Sequence, residues 1–317
     1  MLTFLVRRIL GAIAVMIAVT FIVFVIFIVI PSGDPASRIA GKNATDANIA
    51  NIRHTWGFDK PFYVQYYDVM KQMFSGKLVS YTSQQNVGKQ IVQGMPATFS
   101  LTIGAALIWL FFGILVGTIS AVTAGRWSDR VITILALIGI SMPVFWLGII
   151  TRYYFAEGGL TTFFPDGEYI PFTANPAQWF SHLILPWIVL AVLFIGFYGR
   201  VLRGNVLDTI NEDYIRTARA KGLPPRRVLI KHVLRNSLIP IVTLFGLDFA
   251  AVIGGGAILT ETVFDLHGVG QYAAQSINNF DLPPIMGVTL YGAFFIVVFS
   301  IVVDVFYAFL DPRIRPS

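Results

Sequence analysis

Two carboxylates stand inside otherwise uncharged apolar stretches, and their chemistry comes first. Asp248 lies in FGLDFA, and Asp304 lies near the end of the last apolar block. Two acids sharing a proton could activate water, which would make an intramembrane aspartyl protease. No G-x-G-D run surrounds either residue, and Asp304 stands close to Arg313 and Arg315, which offer it simple ion pairing. The histidines His54, His182, His232 and His267 are scattered, with no H-E-x-x-H among them. There is no cysteine, hence no disulfide framework, no thiolate metal site and no cysteine nucleophile. No G-x-x-x-x-G-K-[ST] run occurs, so nucleotide is not expected to bind by that route. Neither catalysis, a metal nor a cofactor is expected of this chain.

A second group is basic. DYIRTARAKGLPPRRVLIKHVLRNSLIP, from Asp213 to Pro240, is the densest cluster of positive charge in the chain. Asn211 reads as the N-cap of a short helix, with Glu212 and Asp213 complementing its N-terminus. Gly222 stands where a helix stops in a left-handed turn, and Pro224 and Pro225 suit the first turn of a second helix. Arg227, Lys231 and Arg235 recur every four residues and predict one basic stripe, with Leu229 and Val233 on another face. Three partners could use such charge. Anionic lipid headgroups and topology explain the charge but not the glycine-punctuated pair of helices. Nucleic acid is not expected so close to a bilayer. A soluble protein docking on two helices held off the membrane explains both features.

The elements that position these residues are apolar. The 317-residue chain is 56% hydrophobic and only 13% charged, about half the share usual in soluble domains. Uncharged blocks run from Ile9 to Ile30, Thr98 to Ala124, Val131 to Thr151, Leu183 to Gly199, Ser237 to Thr260 (broken only by Asp248) and Leu282 to Val303. About 20 apolar residues cross a bilayer as a helix, so six transmembrane helices are predicted. The first block is too long for a secretory signal core and lacks an A-x-A site. One side of the predicted membrane collects 15 Lys and Arg, nine of them between 200 and 236, and the other side eight, seven of those in one long loop. The short-loop charge rule therefore predicts both termini in the cytoplasm. The organisation follows: residues 1–30 for the first end and helix, 31–97 for an extracytoplasmic loop, 98–308 for five further helices containing a cytoplasmic loop at 204–236, and 309–317 for a cytoplasmic tail. Within 31–97, Thr45 predicts a helix N-cap and Gly57 its stop near Trp56. Gly158 to Ser181 reads as an interfacial loop.

RTARAKGL with RNSLIP resembles the cytoplasmic coupling motif of binding-protein-dependent ABC importer permeases, in the variant of the dipeptide, oligopeptide and nickel permeases. Gly222 matches the motif glycine and Ala218 its second alanine, whereas Arg216 and Thr217 replace the glutamate and the first alanine. GFDKPFYVQY, SMPVFWLG, TETVFDLHGVG and LDPRIR resemble further segments of that family, and GKLVSYTSQQN departs from it. The resemblance covers essentially the whole chain. It implies a type I ABC importer permease fold, an all-α membrane protein in the bacterial inner membrane. It implies a second related permease subunit, two cytoplasmic ATPases or one fused ATPase carrying ATP and magnesium, and an extracytoplasmic substrate-binding protein. The substrate class it implies is di- or oligopeptides, with nickel chelates or glutathione as the alternative. ATPase contact is expected from Tyr214, Arg216, Thr217, Ala218 and Arg219, and from Lys221, Gly222, Leu223 and Arg227. Pathway lining is expected from Ser141, Met142, Pro143, Asp248, Gly255 and Glu261.

Overall fold

A computed structural model describes residues 2–30, 34–40 and 44–310. Helix α1 (Leu2–Phe24) runs on through a π-helical stretch (Val25–Val29). Three short helices follow, α2 (Pro35–Ala40), α3 (Asp46–Trp56) and α4 (Phe62–Phe74). Thr45 caps α3 by accepting from Asn48 N, and Gly57 ends it at φ 70°, both as the sequence predicts. The centre of the molecule is a long pair, α5 (Val87–Val122) and α8 (Pro176–Ile210). Both outrun their apolar blocks. Helix α5 starts 11 residues ahead of Thr98, and α8 starts where Asn175 accepts from Ala177 N and Gln178 N with Pro176 in the first turn. The expected loop at 158–181 thus ends six residues early.

Helices α5 and α8 lie parallel. Trp187 donates to the Ser100 carbonyl near one end. Trp109 is buried and stacks on Phe194 midway, with ring centroids 4.4 Å apart. At the far end a Cβ added to Gly117 would stand 2.7 Å from the Gly199 carbonyl oxygen, so only glycine admits this backbone contact. Much of the remaining surface is apolar and open: Leu107, Phe111 and Leu135 are each more than 60% exposed. A water-soluble protein rarely tolerates so wide an apolar surface; in lipid it is the expected one.

The third block is not the straight span its composition predicts. It is two helices, α6 (Trp127–Ser141) and α7 (Val144–Phe155), bent by 100° at the break. Pro143 lacks the N–H that a continuing helix needs, and it drives Met142 into an extended conformation with ψ 126°.

Helix α9 (Asp213–Ala220) leads to α10 (Pro225–Arg227), a π-helical stretch (Val228–Leu234) and α11 (Arg235–Ser237), which join into one rod. Helix α12 (Ile239–Ala251) continues as a π-helical stretch (Val252–Gly256) and breaks at Gly255, whose φ of 126° no α-helix contains. The fifth block therefore turns before Thr260. Helices α13 (Ile258–Val263) and α14 (Val269–Asn278) follow, and α15 (Leu282–Leu310) closes the bundle. The expected partnership of Asp304 with Arg313 or Arg315 lies outside the described residues, as does the LDPRIR segment beyond Leu310.

Among the described residues, four helices are individually long and apolar enough to cross a membrane: α5, α8, α12 with its π extension, and the described part of α15. The bent α6–α7 pair makes five, and Ile13–Ile28 is a shorter apolar stretch within the N-terminal helix. Of the six predicted spans, four are thus found as single helices of spanning length and a fifth as a folded pair, while the first shows only this shorter apolar stretch.

Candidate functional site

The basic segment is a helical hairpin with two unlike faces. On α9, Ile215 and Ala218 are buried three residues apart, as one face of an α-helix requires. Tyr214, Arg216, Thr217 and Arg219 on the same helix, and Lys221 at its end, are exposed. The N-cap is Glu212 at ψ 147°, not Asn211. Asn211 instead ends α8, its N–H bonding to the Asp208 and Thr209 carbonyls, because α8 runs to its very edge. Helix α9 stops where predicted. Gly222 N donates to the Arg219 carbonyl (2.9 Å) and Leu223 N to the Ala218 carbonyl (3.4 Å), the paired bonds of a Schellman stop. Gly222 has φ 75°, and nothing lies within 4 Å of where its Cβ would be. The position needs glycine for its backbone conformation, not for room.

Pro225 opens the second rod after Pro224 as predicted. Val228 and Val233 are the buried residues of its π-helical stretch, five apart, which is the i→i+5 period of a π-helix. Arg227, Lys231 and Arg235 all remain exposed, although the wider turn spreads the stripe. The hairpin is pinned to α8. Ser237 Oγ donates to the Asn205 carbonyl and to Thr209 Oγ1, and Asn205 Nδ2 donates back to the Ser237 carbonyl. Asn236 Nδ2 reaches Tyr214 Oη at 2.6 Å, tying the rods together. The result is a rigid ledge with an apolar underside and a basic, solvent-facing top.

Beneath it lies an ion pair that the sequence did not reveal. Asp129 accepts from Arg203 Nε and Nη2 at 2.8 Å each, from Ser120 Oγ at 2.5 Å and from Gly125 N at 2.9 Å. Arg203 was counted only as one of nine basic residues, and 74 positions separate it from its partner. The one available signal was a lone acid at the first turn of an apolar block.

The expected pathway residues divide. Ser141 and Pro143 are exposed and Met142 half-buried at the α6–α7 break, on an open groove of about 560 Å³ with Leu137, Phe145 and Trp146. Asp248 is half-buried and accepts from Tyr198 Oη at 2.7 Å. Gly255 lines a separate cavity of about 370 Å³. The structure does not bring these three places together. Glu261 is fully buried. Its carboxylate accepts from Thr98 Oγ1 at 2.7 Å and from Gln271 N at 2.9 Å. A Cβ on Gly268 would stand 2.4 Å from it. Burial pushes its carboxyl up to about 6, against these hydrogen bonds, which pull the other way. It latches α13 and α14 to α5. Asp281, also overlooked, does the same for GKLVSYTSQQN. It takes Ser80 Oγ and Thr82 Oγ1 at 2.5 Å each, Tyr81 N at 3.0 Å and Thr82 N at 3.3 Å.

Apolar helices around a close-packed parallel pair, with a basic ledge at one end, define an integral-membrane transport subunit. The fold is that of type I ABC importer permeases: a crystal form of the inward-facing MetNI methionine ABC transporter matches with a TM-score of 0.56, covering 70% of this chain and 96% of that one at 17% identity. The family model for the inner membrane component of binding-protein-dependent transport systems matches residues 113–316, and the model for its N-terminal part matches 1–102. The chain belongs to that family of permeases. Relatives include a probable peptide ABC transporter permease of Sinorhizobium fredii, 37% identical over 98% of this chain and 99% of its own length. A probable D,D-dipeptide permease of Escherichia coli is 38% identical over 97% and 96%. A di/tripeptide permease of Pseudomonas aeruginosa is 35% identical over 99% of each.

Proposed function

We propose that this chain is a transmembrane subunit of an ATP-driven, binding-protein-dependent importer of di- and oligopeptides in the bacterial inner membrane. A second related permease completes the pathway. Both termini and the 211–236 hairpin face the cytoplasm, where two ATPase subunits, or one fused ATPase, dock and hold ATP and magnesium. An extracytoplasmic binding protein delivers the substrate. The names of full-length relatives support the substrate class, and the charge asymmetry supports the orientation.

One observation carries the coupling role. The hairpin's shape is strongly specified, by the Gly222 stop and by its pinning to Asn205 and Thr209, while its charged face touches little of its own chain. Shape without an internal partner fits a dock. Closure of the ATPases would then displace the hairpin and, through α8 and α12, the bundle. Ser141, Met142, Pro143, Asp248 and Gly255 are the proposed lining, Asp248 meeting the amino terminus of a passing peptide. Purification of the tagged chain from native membranes tests this. Wild type should carry ATPase subunits with it, and Gly222→Val should reach the membrane equally well but retain few. A passive channel or an intramembrane protease would co-purify with none.

A further inference from the structure

Two arginine–carboxylate forks bracket the broken α6–α7 pair. At the far end of α7, Arg152 holds Asp166 through Nε (2.5 Å) and Nη2 (2.8 Å) and donates Nη1 to the Val263 carbonyl. At the start of α6 stands Asp129 with Arg203. The 100° bend at Met142 and Pro143 lies between them.

The Asp129 fork joins unlike pieces. Its four donors come from the last turns of α5, from the α5–α6 turn and from α8. The Asp129 side chain is 6% exposed, and a planar guanidinium held by both carboxylate oxygens resists rotation as well as separation. From Arg203, α8 runs seven more residues to Ile210, about 10 Å at 1.5 Å per residue. Asn205 and Thr209 on that stretch grip Ser237, where the hairpin returns. The hairpin and the last two turns of α8 are therefore one piece, and Arg203 is at its inner edge.

The apolar contact between α6 and α8 is close-packed. A Cβ on Gly196 would lie 2.6 Å from the Ala136 carbonyl oxygen, and one on Gly139 would lie 3.2 Å from Val192 Cγ1. The glycines bring the two backbones close, and Ile140 and Val192 seat against them, so α6 follows α8 along this contact and the fork clamps its first turn.

We propose that Asp129 and Arg203 are positioning residues that carry displacement of the hairpin into α6, and so to the break at Met142 and Pro143. This rests on the coupling role proposed above and names the link that role requires.

The test uses the assembled transporter in proteoliposomes, with Arg203→Lys, which keeps the charge and loses the fork, and with Asp129→Asn. Membrane level, ATPase association, ATP hydrolysis and peptide uptake are measured on the same preparations. For Arg203→Lys the expected result is normal level and association, hydrolysis within twofold of wild type, and uptake per complex at least tenfold lower. Asp129→Asn should behave alike where it assembles. An unchanged ratio of hydrolysis to uptake in Arg203→Lys would overturn the proposal, whether both rates hold or both fall with the amount of complex. Failure of the coupling role itself looks different, because the wild-type chain would then bind no ATPase.

Discussion

The two ends of the bundle treat charge in opposite ways. At the hairpin end, Arg216 and Asp213 keep 70% and 96% of their side-chain surface open, and the exposed basic residues of α9 and the second rod make few contacts with their own chain. At the other end Glu261 and Asp281 are 0% and 2% exposed and wrapped in the chain's own donors. Buried carboxylates with satisfied oxygens fix parts in place, and removing one partner is expensive. Exposed charges stabilise a fold little and remain available to a partner. On the coupling role proposed above, one end is the dock, while the other holds its own segments together. The Asp129 fork is the exception at the hairpin end, and it lies under the ledge where a firm seat is needed.

The sharpest way to break this contrast is Gly222→Val. A β-branched residue at φ 75° is strained, so the hairpin must change shape. Peptide uptake should fall to background while the chain still reaches the membrane, because the bundle does not depend on this turn. Substituting Arg227 alone, an exposed charge, should leave most of the uptake intact. Asp281→Ala asks the converse of the opposite end. It strips the acceptor from four donors and should cost roughly 3 kcal/mol, read as a fall of several degrees in the thermal midpoint of the purified chain, with ATPase binding retained. Asp248→Asn probes the ground between the ends. Uptake should slow a few-fold, more for peptides with a free amino terminus than for blocked ones, with assembly unchanged.

The smallest expected effect concerns Glu261. Its carboxyl is raised from 4.5 to about 6 by burial, so the folded chain binds this proton more tightly than the unfolded one. The contribution is favourable below about pH 4.5 and is lost as the pH rises through 6, to about 2 kcal/mol at neutrality. Thermal midpoints of wild type measured between pH 7 and pH 5 should therefore gain on those of Glu261→Gln as the pH falls. A constant difference across that range would mean that Glu261 does not titrate there.

Local signals were legible in the sequence wherever the deciding chemistry is local. Thr45, Gly57, Gly222 and Pro225 each act within one turn, and each was placed correctly. The apolar blocks identified the membrane helices but not their direction. Twenty-one uncharged residues predict length, and Pro143 in their midst bends them by 100° without changing composition. Asn211 has the side chain that suits a cap, and only the full length of α8, which ends on it, moves the cap position to Glu212. Glu261 was expected in the pathway from the resemblance, and the structure buries it. Its partner Thr98 lies 163 residues away, and the glycines beside it serve its own close packing. Asp129 with Arg203 and Asp281 with Ser80 are long-range in the same sense, set by the packing of whole helices.

The docking role of the hairpin is tested most directly by a single cysteine in this cysteine-free chain. Arg219→Cys carries a bifunctional thiol cross-linker in native membranes, with Gln85→Cys at the opposite end as the control. An adduct between residue 219 and an ATPase subunit, none from residue 85, and labelling by an impermeant thiol reagent from outside only at residue 85 are the predicted results. Labelling of residue 219 from outside sealed cells, or an ATPase adduct from residue 85 and none from 219, would contradict the account.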